Sequence, residues 1–288
     1  MSETAVIVDP PAEVAAAAPK TAAPAAWRSR WVRPAWGVAE RDMIRFLRQP
    51  TRIVSAILTP LLFWAMLGFG VGSSFQPGGA GEEGGVGYAT FLLPGASLLL
   101  VMFTAVFATI GVIEDRREGF LQSIEVSPAA RGAVVAGKLA AATALAVAQA
   151  AVLLAIGWAA TGTLAWWGQA LGAAVTLTLA SVAFGGVGLA AAWVMRSTAS
   201  YHAGMMVVLM PAWAISGAVF PFSTAPPAMQ ALMLCNPVTY LNSLHAAAVL
   251  GPEAAGLGVT LWVAGPVAVL ATAGSVALAW RAVSRRGG

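Results

Sequence analysis

Six stretches of the chain, roughly 53–72, 89–113, 138–160, 169–195, 203–221 and 258–280, are apolar almost without interruption. A helix needs about 20 such residues to cross about 30 Å of hydrocarbon, so each stretch is long enough to span a bilayer. Charge, proline and glycine break the pattern between them, at 73–88, 114–137, 161–168, 196–202 and 222–257. The fold class this predicts is an all-α integral membrane protein with six transmembrane helices.

The polar ends carry patterns of their own. At 100° per residue, Arg41, Arg45, Arg48 and Arg52 fall within a narrow arc, with Trp36, Ala39, Met43, Phe46 and Leu47 opposite. That periodicity predicts an amphipathic interfacial helix over 27–52, its arginines turned to water and anionic lipid, with Pro50 closing it before the first span. Residues 1–26 are rich in Ala and Pro, lack periodicity and begin with Glu3, Asp9 and Glu13, so a disordered tail is expected rather than a signal peptide. Segment 222–257 is apolar, holds Pro226, Pro227, Pro237 and Pro252, and has Glu253 as its one charge. Ala228–Cys235 and 238–250 are too short to cross and read as re-entrant or interfacial helices. Irregular backbone at membrane depth needs protein or a water-filled cavity beside it, so this region is expected to cap or line something on the outer side.

Composition agrees with a bilayer setting: 59% of residues are hydrophobic, 10% are charged, and the mean hydropathy is +0.78. A soluble domain carries about 25% charged residues. The 16 cations are sorted by segment. Eight precede the first span (Lys20, Arg28, Arg30, Arg33, Arg41, Arg45, Arg48, Arg52), and Arg116, Arg117, Arg131 and Lys138 lie at 114–138. Arg196 follows the fourth span, Arg281, Arg285 and Arg286 end the chain, and the alternate connections have none. The positive-inside rule then places both termini in the cytoplasm, with 53–281 the six-span domain and 282–288 a basic cytoplasmic tail. Trp158, Trp166 and Trp167 fall at the outer interface, where aromatic rings prefer to lie.

The same inventory narrows the chemistry. A net charge of +4 gives no reason to expect nucleic acid as a partner. One cysteine, Cys235, and two histidines, His202 and His245, leave little for metal or acid–base work. The spans lack the paired Asp, Glu or His of proton relays, so no energy source is visible in this polypeptide. Gly132-Ala-Val-Val-Ala-Gly137-Lys138 starts like a P-loop, but Leu139 stands where Ser or Thr must hold Mg²⁺, and no strand precedes it. Lys138 is better placed to anchor the inner end of span three. An intramembrane serine protease would need a GxSG-like nucleophile and a facing histidine; Gly95-Ala96-Ser97-Leu98 matches poorly and His245 falls outside the spans. A secondary transporter would show a repeat or intramembrane charge, and neither is found. Gly185-Gly186-Val187-Gly188 suits close helix packing.

The longest basic connection runs Glu114-Asp115-Arg116-Arg117-Glu118-Gly119-Phe120-Leu121-Gln122-Ser123-Ile124-Glu125-Val126-Ser127-Pro128. As a helix it puts Phe120, Leu121 and Ile124 on one side and Glu118, Gln122 and Glu125 on the other, and Ser127-Pro128 stops it. Such a knob fits docking into a groove on a partner protein; an interfacial turn that satisfies two span ends fits as well.

The run from Glu114 to Leu121, with Pro128, Arg131 and Lys138 behind it, resembles the cytoplasmic signature of ABC-2 type exporter permeases. Ser216-Gly217-Ala-Val-Phe220-Pro221, Pro226-Pro227, Asn236-Pro237 and Thr239-Tyr240 resemble the segment between the fifth and sixth spans of that family. The resemblance covers about 40–281 and is nearest the branch of daunorubicin-type drug exporters and nodulation-factor exporters. It implies a permease half in the bacterial plasma membrane that pairs with a second copy or a paralogue and with two ABC ATPase subunits. ATP and Mg²⁺ are then held by the ATPase subunits, with no cofactor, metal or catalytic residue in this chain. It implies ATPase contacts at Arg41, Arg45, Arg48, Glu114, Arg116, Arg117, Glu118, Gly119, Phe120, Leu121 and Ile124. It also implies an outer gate at Ser216, Gly217, Phe220, Pro221, Asn236, Pro237 and Tyr240, formed by short re-entrant helices. The cargo would be hydrophobic or amphipathic, a drug-like compound, lipid or glycolipid, with lipid-linked polysaccharide as the alternative. Many members carry an acid and an arginine three and six residues after the tyrosine; here Ser243 and Ala246 take those places.

Overall fold

A computed structural model describes residues 24–70, 87–119, 131–162, 167–251 and 258–284, and every regular element among them is helical. The first helix, α1, covers Pro24–Leu47 and α2 covers Pro50–Gly70. The single helix expected over 27–52 is therefore two. Pro50 opens α2, at a position where its missing N–H leaves no bond unmade. Helix α3 (Tyr88–Ala108) turns at Thr109–Ile110 into the short α4 (Gly111–Arg117). Gly119, at φ 76°, takes a left-handed conformation just beyond α4, and the rest of the helix expected up to Ser127-Pro128 lies outside the described residues. The docking knob expected at Phe120, Leu121 and Ile124 lies outside the described residues, as do 1–23 of the tail expected over 1–26 and 285–288 of the basic tail expected over 282–288; residues 24–26 and 282–284 are helical.

Helix α5 (Arg131–Thr161) is 31 residues long, about 46 Å at 1.5 Å per residue, and so outruns the hydrocarbon by several turns. Helix α6 (Trp167–Val194) returns, and Ser197 caps α7 (Thr198–Trp213) by accepting the Ser200 amide. A π-helical turn at Ala214–Ala218 continues α7, with Gly217 at φ 84°. A 3₁₀ turn at Phe222–Thr224 follows, then α8 (Pro227–Cys235), α9 (Pro237–Leu250) and α10 (Leu261–Ser284). The two short helices expected between the last two spans are present, each opened by a proline.

Five helical stretches among the described residues are long and apolar enough to cross a membrane: α2, α3 with α4, α5, α6 and α10. The fifth expected stretch differs. Its helix, α7, has 16 residues, about 24 Å, before the π turn and Gly217 bend it away.

Helix α3 is the hub. From Tyr88 to Val106 it is buried nearly all round and packs on α2, α5, α6 and α9, as an apolar helix without a polar face must. Glycines set the close approaches: Gly186 of α6 lies on Ser275 of α10, and Gly188 lies beside the Tyr201 and Thr109 hydroxyls. The glycine patch on α6 is thus packing surface. The outer faces stay apolar and exposed, with Leu62, Met66 and Phe69 along α2 and Leu270 on α10, as lipid-facing helices require.

Candidate functional site

One end of the bundle gathers the charges. Helix α4 holds Asp115 with no solvent exposure, and three cations meet its carboxylate. Arg41 and Arg45 of α1 reach Oδ1, Arg45 at 3.4 Å, while Lys138 of α5 donates to Oδ2 at 2.7 Å. Lys138, itself almost fully buried, also donates to Asp42 at 3.0 Å. Arg45 extends the network to Glu114 at 3.3 Å and to Glu118 at 3.6 Å. A buried carboxylate alone would cost several kcal/mol, and this one is matched on both oxygens. The result ties α1, α4 and α5 through charge rather than through apolar contact alone.

This arrangement corrects the helical-wheel reading of α1. Arg41 and Arg45 turn onto fixed carboxylates instead of toward anionic lipid, because Asp115 offers a partner at no further cost of burial. Of the stripe opposite them, Ala39 and Phe46 are buried and Trp36 and Leu47 are exposed. Arg48 stays exposed beside an open cleft, which Glu40, Ile44, Gln49 and Glu118 also line. Two glycines let α1 sit so close. A side chain at Gly137 would meet the Ala35 carbonyl and Val38, and one at Gly132 would meet the stacked Trp31 and Trp280 rings. The P-loop-like run Gly132–Lys138 is therefore a packing seam that ends in a buried ion pair.

Arg116 and Arg117 turn the other way. The Arg116 guanidinium donates to the carbonyls of Trp193 at 2.7 Å and Met195 at 3.1 Å, and lies over the Trp193 ring. Arg117 donates to the Arg196 carbonyl at 3.0 Å. Carbonyls at a helix C-terminus have no partner within the helix, and a cation there satisfies them and the helix dipole together. Of the contact residues named from sequence, Arg41, Arg45, Arg48, Glu114, Arg116, Arg117, Glu118 and Gly119 all fall at this end.

Among the described residues the opposite end carries almost no charge, and it is built around the π turn. The Trp213 indole donates to the Gly95 carbonyl at 2.9 Å, and Ala218 packs directly on Gly95, so the turn lies flat on α3. Ser216 donates back to Trp213 at 2.7 Å, and the Tyr88 hydroxyl donates to the Val219 carbonyl at 3.1 Å. Phe220 and Pro221 lead out of the turn, Pro221 buried. Asn236 joins two elements. Its Oδ1 accepts the Val238 amide at 3.1 Å, capping α9 ahead of Pro237, and its Nδ2 donates to the Ala212 carbonyl at 2.6 Å. Tyr240 donates to the Leu234 carbonyl at 2.7 Å, fixing α8 against α9. A cavity between α9, α3 and the π turn is lined by Thr239, Asn242, Ser243 and Ala246 on the α9 side. Trp167 and Trp262 stand exposed at this end, and Trp166 lies outside the described residues.

The structure also brings together two residues that sequence separation hides. The Ser97 hydroxyl on α3 lies 2.8 Å from Nε2 of His245 on α9, and Thr176 of α6 lies 2.8 Å from Nδ1. Ser97 and His245 have no solvent exposure, so no peptide bond can reach the serine as a protease would need. The other histidine, His202, stacks on Phe107 at 4.5 Å.

The family model described as ABC-2 type transporter matches residues 35–249, which include the second half of α1, the Asp115 network, the π turn and all of α9 but its last residue. A search of curated proteins finds no match to the chain.

Proposed function

Since the chain belongs to the ABC-2 type transporter family, we propose that it is the permease half of an ATP-driven exporter, coupled to its ATPase through the charged end. The observation that carries this reading is the Asp115 network, which makes α1, α4 and α5 one mechanical unit beside the exposed Arg48 and Glu118. A force applied to the segment after α4 is delivered to α1 and α5 together, because a buried ion pair resists separation. Both termini and this end face the cytoplasm, as the cation distribution requires. Helix α7 with its π turn is the fifth crossing in chain order and brings the total to six. The segment from the π turn through α9 is the outer gate, and a second copy or a paralogue completes the path.

The partner subunit holds ATP and Mg²⁺; in this chain the P-loop-like run Gly132–Lys138 is followed by Leu139 where a Mg²⁺ site needs Ser or Thr. Nucleotide-driven closure moves the charged end, and the spans then open a route for a hydrophobic or amphipathic molecule. Transport requires that the molecule bind the two states unequally.

The test is co-expression and co-purification with a candidate ABC ATPase subunit, followed by ATP hydrolysis. Wild type is expected to co-elute and hydrolyse, and the Glu114→Lys/Glu118→Lys variant to dissociate or uncouple. Full assembly and full turnover by that variant would refute docking at this end.

A further inference from the structure

His245 sits where α3, α6 and α9 meet, and its ring is bonded at both nitrogens. A neutral imidazole has one donor and one acceptor nitrogen, and each hydroxyl has one proton. Ser97 has a second acceptor within reach, the Pro94 carbonyl at 2.8 Å, and Thr176 has the Gly172 carbonyl at 2.9 Å. With the proton on Nε2, the ring donates to Ser97, which passes its own proton to Pro94, while Thr176 donates to Nδ1. With the proton on Nδ1 the roles reverse, Thr176 bonding Gly172 and Ser97 donating to Nε2. Both tautomers keep both nitrogens satisfied.

The adjoining face of α9, about 110° round the helix from His245, is held differently. Thr239, Asn242, Ser243 and Ala246, at i, i+3, i+4 and i+7, line the cavity against the π turn. Thr239 Oγ1 and Asn242 Oδ1 are buried there without a hydrogen-bond partner, and the Asn242 amide makes only a 3.4 Å contact to Ser216. Buried polar atoms without partners are rare and gain when water reaches them. One side of α9 is therefore fixed, and the other is poised to part from its neighbour.

We infer that His245 is a positioning residue that pins α9 to α3 and α6, making it the fixed wall of the outer gate and leaving Ala214–Ala218 as the part that moves. The inference rests on the proposed reading of this segment as the outer gate. Separation on the cavity side gives up the long Asn242–Ser216 contact and the Tyr88–Val219 bond at the rim, hydrates Thr239 and Asn242, and breaks no bond to His245. Opening by release of α9 would instead break two hydrogen bonds in the bundle interior.

The test is hydrogen–deuterium exchange of the full chain in lipid nanodiscs, which needs neither substrate nor ATPase. In wild type, exchange at 214–220 is expected to exceed that of α9. His245→Phe is expected to speed α9 about tenfold, leaving α3 and α6 unchanged. If His245→Phe fails to fold, His245→Asn and His245→Gln each keep one of the two bonds and are expected to fall between. Thr176→Ser is expected to match wild type and Thr176→Val to speed α9. An unchanged α9 in His245→Phe, an equal rise across α3, α6 and α9, or equal behaviour of Thr176→Val and Thr176→Ser would overturn the inference. Failure of the chain to bind an ATPase would overturn the exporter reading and leave this result standing.

Discussion

Asp115→Asn is the most informative single change, because it alters one atom and breaks the charge balance of a buried site. In wild type, Oδ1 serves Arg41 and Arg45 and Oδ2 serves Lys138. An asparagine retains one acceptor oxygen and must aim its amino group at the other cation, donor against donor. Lys138 then keeps Asp42, at 3.0 Å, as its ion-pair partner in a setting where its side chain is 3% exposed. Loss of one member of a buried pair costs about 3–5 kcal/mol, and the surviving Asp42 contact argues for the lower end, about 3 kcal/mol. At about 2–4 °C per kcal/mol, the melting midpoint should fall by roughly 6–12 °C. The assay is thermal unfolding of the purified chain in detergent, followed by tryptophan fluorescence, at one scan rate for all variants. Lys138→Met alone should also destabilise. The double variant Asp115→Asn/Lys138→Met should recover part of the loss, since a neutral pair leaves fewer charges buried. A midpoint within about 1 °C of wild type for Asp115→Asn, or strictly additive losses in the double variant, would refute the network as the clasp between α1, α4 and α5.

Other outcomes follow from neighbouring contacts. Gly137→Ala should cost about 1–3 kcal/mol by forcing Ala35 away, whereas Gly265→Ala, with open space around it, should be neutral or slightly stabilising in the same melting assay. Arg116→Ala should cost about 1–2 kcal/mol and raise amide exchange in the last turn of α6, because the carbonyls of Trp193 and Met195 lose their donor. Asn236→Ala should cost about 1–2 kcal/mol by removing both the α9 cap and the bond to Ala212, and Asn236→Asp should lose less because the capping oxygen remains. Cys235 is the chain's one cysteine and is exposed, so a membrane-impermeant maleimide should label it on intact cells. Arg48→Cys in a Cys235→Ser background should label only after permeabilisation, and the reverse pattern would invert the topology.

What was legible in the sequence follows the range of the interactions involved. Helices α8 and α9 were readable because Pro227 and Pro237 mark their starts and their apolar runs are too short to span. The extension of α5 down to Arg131 was not, because its first turns are stabilised by α1 lying against Gly132 and Gly137 rather than by lipid. Asp115 sits among Glu114, Arg116 and Arg117 and reads as one more solvated charge; only the approach of α1 and α5 buries it. The π turn is hidden for a related reason, as nothing in the apolar run around Gly217 marks the positive φ that bends the chain there. His245 lies 148 residues from Ser97 and 69 from Thr176, so no local period could link them.

The central claim is that the charged end receives the ATPase. The most direct measurement is photocrosslinking in native membranes, with a photoreactive amino acid placed at position 48 or 118, and at position 262 at the far end as reference. Exposed side chains occupy all three positions. Coupling through the charged end predicts adducts to the ATPase subunit from 48 and 118 and none from 262. Equal adducts from 262, or none from 48 and 118 when the ATPase co-purifies with the chain, would contradict it.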